Sequence, residues 1–386
     1  MSDRPRILRR AARRLGLGAP ASGEQSPMPS QPGSAPPTAS GERRTTLHLG
    51  APKTGTTFLQ TVLFANKERL AGHGVLLPGQ RANDHALAAI GMREGESSRH
   101  HAVWQDALAE MDRWDGPAIL SNEWFPMADS ARTAETLERL QQGRELHLVM
   151  TVRDLVDQVP AAWQETLKLG DSTQIDEFAV KMERPDFRWG WSILDPAEVL
   201  DRWAPGIPPE RVHLVTVPPR GAPPGTLWSR FASACGIEPD WCSTDVEFAR
   251  ESLSVEAARL LQLAGPRLLE AIDAEPPNWN GPRRWIQKHL AHGMLLKRRG
   301  GRITMSPETI AAVRERSERS VERLRAAGYT VHGDYADLVS SRLPESAVHP
   351  DAVPDSEVLD LALDLVAAQL RHTRRTANKA ARAAKG

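Results

Sequence analysis

The segment T-T-L-H-L-G-A-P-K-T-G-T-T-F-L-Q, residues 45–60, constrains the fold more than any other part of the chain. It opens with a short run of β-branched and apolar residues, which is typical of a strand. Two glycines, Gly50 and Gly55, then bracket a loop, and the apolar residues from Phe58 onward recur at helical spacing. We therefore predict a strand, a tight loop and a helix start, in that order.

The glycine spacing matches that of a Walker A loop, GxxxxGK[ST], but the lysine is displaced. Thr56 stands where that motif has its lysine, and Lys53 lies three residues earlier. Backbone N–H groups of a loop that runs into a helix N-terminus cradle an anion, and the helix dipole adds to their effect. The hydroxyls of Thr54, Thr56 and Thr57 can donate further hydrogen bonds to a phosphate. The displaced lysine argues against an ordinary nucleoside triphosphatase.

The string P-K-T-G-T-T, residues 52–57, resembles P-K-[ST]-G-T-T, the 5′-phosphosulfate loop of sulfotransferases that use PAPS, 3′-phosphoadenylyl sulfate. The resemblance implies that the donor contacts Pro52, Lys53, Thr54, Gly55, Thr56 and Thr57. It gives Lys53 the role of stabilising the charge on the bridging oxygen as the S–O bond breaks. The chain has 49 lysines and arginines but only eight lysines, so a lysine at this position is a specific signal.

A second motif follows the strand predicted over residues 146–152. Arg153 and Asp154 come directly after this strand and resemble the start of the sulfotransferase 3′-phosphate motif, V-x-x-x-R-[DN]-P-x-x-x-x-x-S. The resemblance implies that Arg153 binds the 3′-phosphate of the donor through charge-assisted hydrogen bonds. The chain departs from the motif because Leu155 replaces the proline and Ala161 replaces the serine.

The missing serine leaves one hydrogen bond to the 3′-phosphate to be supplied by another group. Gln158 and Gln164 are the candidates that lie closest to Ala161 in the sequence. A glycine-flanked basic segment, K-R-R-G-G-R over residues 297–302, resembles the R-K-G element that contacts the 3′-phosphate in cytosolic family members. We nevertheless expect this segment to be a solvated loop.

Sulfuryl transfer to a hydroxyl needs a base that takes the proton of the acceptor. Members of the family that this chain resembles use a histidine or a glutamate, often just beyond the strand that precedes the 3′-phosphate strand, and Glu123 occupies that place. Burial beside Trp124 and Phe125 would raise the pKa of this carboxyl group. The alternative role for Glu123 is to cap a helix or to pair with an arginine. His85 is the second candidate for the base.

Three tryptophans that follow the 3′-phosphate motif are candidates for the acceptor pocket, since indole faces stack on sugars and aromatic rings. They are Trp163, Trp189 and Trp191, and core packing is the competing role for each. The cysteines, Cys235 and Cys242, are too few for a disulfide framework and have no metal-site spacing. We predict no metal.

Four apolar runs have strand character and alternate with helical patterns. They cover residues 45–49, 117–121, 146–152 and 212–217. This alternation predicts right-handed βαβ crossovers and a mainly parallel sheet that is covered on both faces. The predicted fold class is α/β, a P-loop-like three-layer fold with a helical C-terminal part.

The C-terminal part is predicted to contain two helices. Ser306 and Pro307 mark the start of the first, and Gly328 marks its end. The second covers residues 356–370, and its high apolar content indicates burial against the domain or against a partner chain. Residues 344–354 between them are predicted to be a linker.

We predict three parts along the chain. Residues 1–44 form a disordered basic tail rich in proline, serine and glycine, because they have almost no large apolar residue to bury. Residues 45–340 form a sulfotransferase-like domain. Residues 341–386 comprise a linker, the apolar helix and a second basic tail, and self-association through this helix is a candidate interaction. The basic tails are expected to be solvated extensions, and nucleic acid is not expected as a partner.

The sequence has no apolar run of about 18 residues, so no transmembrane helix is expected. The arginine-rich N-terminus lacks the apolar region of a signal peptide. We therefore expect a cytoplasmic location.

Together these patterns predict a sulfotransferase that moves a sulfuryl group from PAPS to a hydroxyl of a carbohydrate, lipid or secondary metabolite. PAP, adenosine 3′,5′-bisphosphate, would be the product. The first alternative is a small-molecule kinase of the P-loop class, which needs a lysine at position 56. The second is a non-catalytic protein that binds PAP, and Ala161 favours this alternative.

Overall fold

Parallel strands at the centre of the chain organise the fold, in a computed structural model that describes residues 43–247, 252–272, 280–296, 298, 300–339 and 346–383. The strands are β1 (Arg44–Gly50), β2 (Ala118–Asn122), β3 (Glu145–Val152), β4 (Val212–Thr216), β5 (Arg302–Ile303), β6 (Thr330–His332) and β7 (Ala347–Val348). The main sheet has the order β2-β1-β3-β4-β6 and is parallel throughout. The segment 1–42, which falls in the predicted disordered tail, lies outside the described residues.

Helices occupy most of the chain between the strands and after them. They are α1 (Thr56–Ala65), α2 (Lys67–Gly72), α3 (Ala82–Glu94), α4 (His101–Asp112), α5 (Ser130–Leu140), α6 (Leu155–Leu167), α7 (Ile175–Lys181), α8 (Trp191–Leu194), α9 (Pro196–Trp203), α10 (Thr226–Cys235), α11 (Val255–Ala271), α12 (Asn280–Pro282), α13 (Pro307–Ala326) and α14 (Asp355–Ala383). A π-helical stretch, Arg283–Leu295, continues α12. The α/β class predicted from the sequence is confirmed.

The connections around β1 create a crevice at the carboxyl edge of the sheet. The chain leaves β1 for β2 on one side and then crosses to β3 on the other side. Leu49 is level with Asn122 of β2, and Gly50 is level with Thr151 of β3. Open α/β sheets bind their ligands at such a switch point, outside the carboxyl ends of the strands. The loop after Gly50 therefore lies between the residues that follow β2 and β3.

Both faces of the sheet are covered by helices, as expected for parallel strands. Leu47 and Leu49 of β1 are fully buried in a core shared with α3, α4, α5 and α9. Val149 of β3 faces the opposite core, which contains the buried faces of α1 and α10. Burying one leucine side chain stabilises the fold by roughly 1.5–3 kcal/mol. These two cores hold β1, and thus the loop that follows it, in a fixed position.

A separate helical core borders the same edge of the sheet. It is formed by buried residues of α6, α7, α11, α13 and the π-helical stretch. The predicted boundaries of α13 are confirmed: Ser306 accepts a hydrogen bond from the N–H of Thr309, Pro307 is the first helical residue, and Gly328 has a φ of 71°. Because α6 begins directly after the loop that follows β3, this core fixes one wall of the crevice.

The C-terminal segment differs from the sequence-based expectation in two ways. The predicted linker over residues 344–354 contains β7, which pairs with β5. The predicted apolar helix extends to Ala383, so the basic residues after 370 are helical as far as this residue. The interface predicted for the helix is partial, because Val358 and Leu361 are buried whereas Leu363 is 59% exposed. None of the described helices is both long and apolar enough to span a bilayer.

Candidate active site

The loop between β1 and α1 depends on glycine at both ends. A Cβ on Gly50 would lie 2.4 Å from Cγ2 of Thr56, and one on Gly55 would lie 2.6 Å from Cδ2 of Leu227. Gly55 also has a φ of 87° and is the N-cap of α1, where no side chain caps the helix. The first turn of α1 contains no acidic residue. The N–H groups of this turn are therefore suited to an anion.

Lys53 lies at the turn of this loop in a conformation that non-glycine residues rarely adopt. Its φ is 69°, and no other described non-glycine residue has a positive φ. Such a conformation costs roughly 1–3 kcal/mol. Two hydrogen bonds hold it: Nη1 of Arg153 donates to the Lys53 carbonyl at 3.2 Å, and Nε2 of Gln158 donates to the Pro52 carbonyl at 2.8 Å. The residue that follows β3 thus fixes the backbone of the loop.

The ammonium group of Lys53 pairs with a residue that sequence reasoning missed. Its Nζ lies 2.7 Å from Oε1 of Glu165, and the fully buried Nζ of Lys168 lies 2.9 Å from the same oxygen. Burial acts to raise the pKa of Glu165, but the two ammonium groups outweigh it and hold the pKa below its usual range. The signal in the sequence is a Glu–Lys pair three residues apart in an otherwise mainly apolar helix.

Thr54 supports the loop from below. Its hydroxyl donates to the Ala51 carbonyl at 2.6 Å and lies 2.6 Å from Oγ1 of Thr151. Nε2 of His48 lies 3.2 Å from the same Thr151 hydroxyl, and Nδ1 of His48 lies 2.7 Å from Oγ of Ser121. This buried chain joins three strands beneath the loop. The hydroxyl donor expected from Thr54 is therefore directed into the protein, away from an anion in the loop.

The structure brings Glu123, the first candidate for the base, to the start of α1. Glu123 follows β2 directly, and its Oε2 accepts a hydrogen bond of 3.3 Å from the hydroxyl of Thr56. Thr57 is exposed on the first turn of α1. Glu123 and Lys53 therefore belong to the same crevice, each at the end of a neighbouring strand.

His85, the second candidate for the base, is buried and has both ring nitrogens engaged. Nδ1 accepts from the N–H of Ser121 at 3.2 Å, so Nε2 carries the proton and donates to the Pro78 carbonyl at 2.9 Å. Burial lowers the pKa of His85 to about 4. These bonds give the ring a structural role, because neither nitrogen is left to accept a proton from a substrate.

Arg153 lies in a cleft of about 460 Å³ that has a strong excess of positive charge. Arg220, Arg298 and Arg302 line the same cleft, together with Asp157. The Asp157 carboxylate lies 3.6 Å from Arg153, 3.9 Å from Arg220 and 3.6 Å from Arg302. Burial lowers the pKa of Arg153, an effect that Asp157 opposes and Arg220 increases. One carboxylate is thus shared by three guanidinium groups.

The lining of the cleft corrects the expectation for the basic segment over residues 297–302. The segment 297–302 is more than a solvated loop, since Arg298, Gly300, Gly301 and Arg302 line the cleft beside Arg153. Lys297 and Arg299 lie outside the described residues.

The two glutamines proposed to replace the missing serine have other partners. Nε2 of Gln158 binds the Pro52 carbonyl. Gln164 donates to the Pro160 carbonyl and accepts from the N–H of Leu253. Ala161 does line the cleft, as its place in the motif suggests, and the polar residues around it include four arginines and two serines, Ser252 and Ser254.

Two of the three tryptophans proposed for the acceptor pocket are buried, and none of the three lines the cleft beside Arg153 or the cleft beside Trp124. Trp163 is fully buried and donates to the Thr173 carbonyl, and Trp191 is buried and donates to Glu183. Trp189 packs against the helical core. The indole that lines a cleft next to Glu123 is instead Trp124, in a space of about 720 Å³.

Comparison with known proteins gives one weak similarity. No family model and no curated protein matches the chain. A solved structure described as a sulfotransferase from Alicyclobacillus acidocaldarius is similar with a TM-score of 0.37 and 16% sequence identity, over 61% of this chain and 98% of that chain. A similarity of this size does not decide the family, so the functional argument depends on the site.

Proposed function

We propose that this protein is a sulfotransferase that moves a sulfuryl group from PAPS to a hydroxyl acceptor. The observation that carries the proposal is the direct bond between two anion-binding features. Arg153, in the basic cleft, donates to the carbonyl of Lys53, in the loop at the end of β1. A donor with phosphates on both its 5′ and 3′ positions needs two such features side by side, whereas ATP needs only the first.

The residues of the loop fit a 5′-phosphosulfate. The uncapped N-terminus of α1 offers backbone N–H groups, and Thr57 is exposed beside them. Gly55 lets the backbone approach closely because it has no side chain. Thr54 contributes by fixing the loop, because its hydroxyl donates a hydrogen bond to the Ala51 carbonyl.

The basic cleft fits the 3′-phosphate. Three arginines there, Arg153, Arg220 and Arg302, share a single aspartate, whereas Arg298 pairs with Asp364, so a dianion would restore the charge balance. We assign Arg153 to direct contact with this phosphate and give Arg220 and Arg302 the part that the serine plays in the motif. Guanidinium groups supply hydrogen bonds as well as charge, which is why Ala161 need not abolish binding.

The transfer step needs one base and one cation. In the proposed reaction Glu123 takes the proton of the acceptor hydroxyl, whose oxygen attacks sulfur in line with the departing phosphate. The bond between sulfur and the bridging oxygen breaks, and its electron pair goes to the 5′-phosphate of PAP. Lys53 stabilises that developing charge, with Glu165 holding its ammonium near the loop before the donor binds.

Nucleotide binding separates this proposal from a kinase. The chain places Thr56, bonded to Glu123, where a kinase of this class needs its lysine. We expect PAP to raise the melting temperature of the protein and ADP with Mg²⁺ to leave it unchanged. The reverse result would favour the kinase, and PAP binding without transfer to any acceptor would favour the non-catalytic alternative.

Transfer itself is tested with labelled PAPS and a cell extract, followed by identification of the sulfated product. Lys53→Ala should lose turnover, and Lys288→Ala is the matched control because Lys288 is exposed on the π-helical stretch. Unchanged turnover by Lys53→Ala would refute the proposed mechanism.

We also propose that the C-terminal helix pairs with a second copy of the chain. Leu359, Leu363, Val366 and Leu370 repeat at intervals of four, three and four residues and are 59%, 59%, 67% and 71% exposed. The acidic residues of α14 lie in its first half, and its basic residues lie in its second half. An antiparallel pair would place the two halves opposite each other, with opposite charges in contact.

Sedimentation equilibrium tests this pairing. We expect a dimer for the full chain and a monomer for Leu363→Glu. Because Leu363 is largely exposed in the single chain, the variant should melt at the temperature of the wild-type protein diluted to the monomer. A monomeric wild-type protein across the micromolar range would refute it.

A further inference from the structure

A second cleft rich in arginine opens at Trp124, the residue that follows Glu123 in the chain. Its volume is about 720 Å³, and Trp124 and Pro126 form part of its wall. Arg93, Arg188 and Arg283 line it from three different segments of the chain. A fourth arginine, Arg202, also lines it but donates to the carbonyls of Pro126 and Ser192, so it belongs to the wall.

The first three arginines lie close to one another. The Cζ atoms of Arg93 and Arg188 lie 5.9 and 5.2 Å from the centroid of the Trp124 ring. Burial lowers the pKa of Arg188, and the charges of Arg283 and Arg93 lower it further. Stacking on an indole is a weak interaction at an exposed site. It does not neutralise the shared charge.

Four arginines and three acidic residues line the cleft, so its formal charge is only +1. Glu94, Asp129 and Asp186 line it too. The Glu94 carboxylate accepts from the Ser98 hydroxyl, and Asp129 caps α5 by accepting from the N–H of Arg132. Their charges raise the pKa of Arg93, but the opposing effect of burial is larger.

The three arginines also lack close acidic partners. Within the described part of the chain, no carboxylate forms a salt bridge with Arg93, Arg188 or Arg283. The Nε atom of Arg93 is buried and has no hydrogen-bond partner there. Leaving a buried donor without an acceptor is costly, so an anion bound beside Arg93 would lower that cost.

We propose that this cleft binds an acceptor through a negatively charged group, so that the sulfuryl acceptor is an anionic hydroxyl compound carrying a carboxylate, phosphate or sulfate. The inference rests on the proposed sulfotransferase function and adds the class of acceptor. Trp124 follows Glu123 directly in the chain, which places the bound anion next to the base that receives the hydroxyl proton. Guanidinium groups recognise all three anions, because each presents a pair of oxygens to a planar fork of donors.

An uncharged acceptor fits the cleft less well. Binding an uncharged acceptor there would remove water from the arginines without supplying a negative charge, which is unfavourable for guanidinium groups that have no close acidic partner. An anion removes that penalty and also reduces the repulsion among the three side chains.

A set of acceptors that differ at one position tests the proposal and separates the three anions. We would use 4-nitrophenyl β-D-glucoside, the corresponding glucuronide, and the 6-phosphate and 6-sulfate of the glucoside. Equilibrium dialysis measures binding, and transfer from labelled PAPS gives kcat/KM. We expect at least one anionic member to exceed the glucoside by about tenfold or more in both measurements, and the preferred member identifies the anion.

Arg188→Gln should remove most of this preference by weakening the anionic acceptor and sparing the glucoside. Arg188 is partly exposed and forms no salt bridge with a described residue, so the variant should keep its melting temperature. Arg184→Gln is the matched control, because Arg184 is exposed in the same segment and does not line the cleft. Added salt should reduce the preference of the wild-type protein and of the control.

Two results would overturn the proposal: equal binding of all four compounds by the wild-type protein, or equal losses for charged and uncharged acceptors in Arg188→Gln. Failure of the sulfotransferase function looks different. In that case PAP fails to bind and no transfer occurs, while dialysis still reports on the arginine cleft.

Discussion

Replacing Arg153 by glutamine should change which nucleotide the protein prefers. Arg153 has two tasks in the structure: it faces the basic cleft, and its Nη1 holds the Lys53 carbonyl at 3.2 Å. PAP and AMP share the 5′-phosphate but only PAP has the 3′-phosphate. Comparing the two nucleotides therefore separates the tasks within a single variant.

The expected losses follow from the kind of bond removed. A hydrogen bond between charged groups contributes about 1.5–3 kcal/mol, so Arg153→Gln should weaken PAP binding by about 10- to 150-fold beyond the loss that PAP shares with AMP. The bond to the Lys53 carbonyl involves a neutral acceptor and affects both nucleotides. If it contributes about 0.5–1.5 kcal/mol, AMP binding should fall by only about 2- to 12-fold.

Isothermal titration calorimetry with both nucleotides measures these losses. Arg184→Gln serves as the control for removing one positive charge, since Arg184 is exposed and lines neither cleft. An equal loss for PAP and AMP would show that Arg153 acts only through the loop. In that case the basic cleft is not the 3′-phosphate site, and the reasoning fails.

Three further predictions concern the supports of the site. Glu165→Gln should reduce the free energy of unfolding by about 3 kcal/mol, because it removes the carboxylate charge that lies 2.9 Å from the buried Lys168 ammonium; urea denaturation should show recovery on adding Lys168→Met, and no recovery would contradict this. Ala161→Ser should tighten PAP binding by about 2- to 12-fold and leave AMP unchanged, as measured by calorimetry; an equal effect on both nucleotides would argue against its place beside the 3′-phosphate. Burial lowers the pKa of His48 to about 3 and of His85 to about 4, so below pH 6.5 the unfolded chain binds more protons than the folded chain and the free energy of unfolding falls. At pH 5 each histidine should lower this free energy by about 2 kcal/mol relative to neutral pH. A urea midpoint that stays the same from pH 7 to pH 5 would refute this.

The sequence predicted the first four strands because each is an apolar run between turn signals. Residues 45–49 and 146–152 lie inside β1 and β3 almost to the residue. The short strand β6, Thr330–His332, went unnoticed because three half-buried residues have no detectable periodicity. The pairing of β5 with β7 was missed for the same reason.

The sequence predicts the part of the candidate site that a contiguous motif describes. It does not predict the contacts between residues that are far apart in the chain and that folding brings together. The loop around Lys53 is contiguous in the chain, so its geometry follows from glycine positions and from the strand and helix beside it. Glu165 contacts Lys53 across 112 positions of sequence, and Arg302 lies still farther from Arg153. Only the packing of α6 and of the segment after the π-helix brings these side chains to the crevice.

For the tryptophans, position in the chain suggested a role that their burial does not favour. Trp163 and Trp191 follow the 3′-phosphate motif, and position in the chain made them candidates for the acceptor pocket. The structure buries both in the helical core, whereas Trp124 lines the cleft. Side-chain direction on α6 and α8 is set by core packing, which the spacing of single tryptophans does not report.

The most direct test of the account is the rate at which the protein forms PAP from PAPS in the presence of a cell extract. We expect measurable turnover for the wild-type protein and for Lys288→Ala, and its loss in Lys53→Ala with PAP binding largely retained. Turnover by Lys53→Ala at the wild-type rate, or turnover of ATP in place of PAPS, would contradict it.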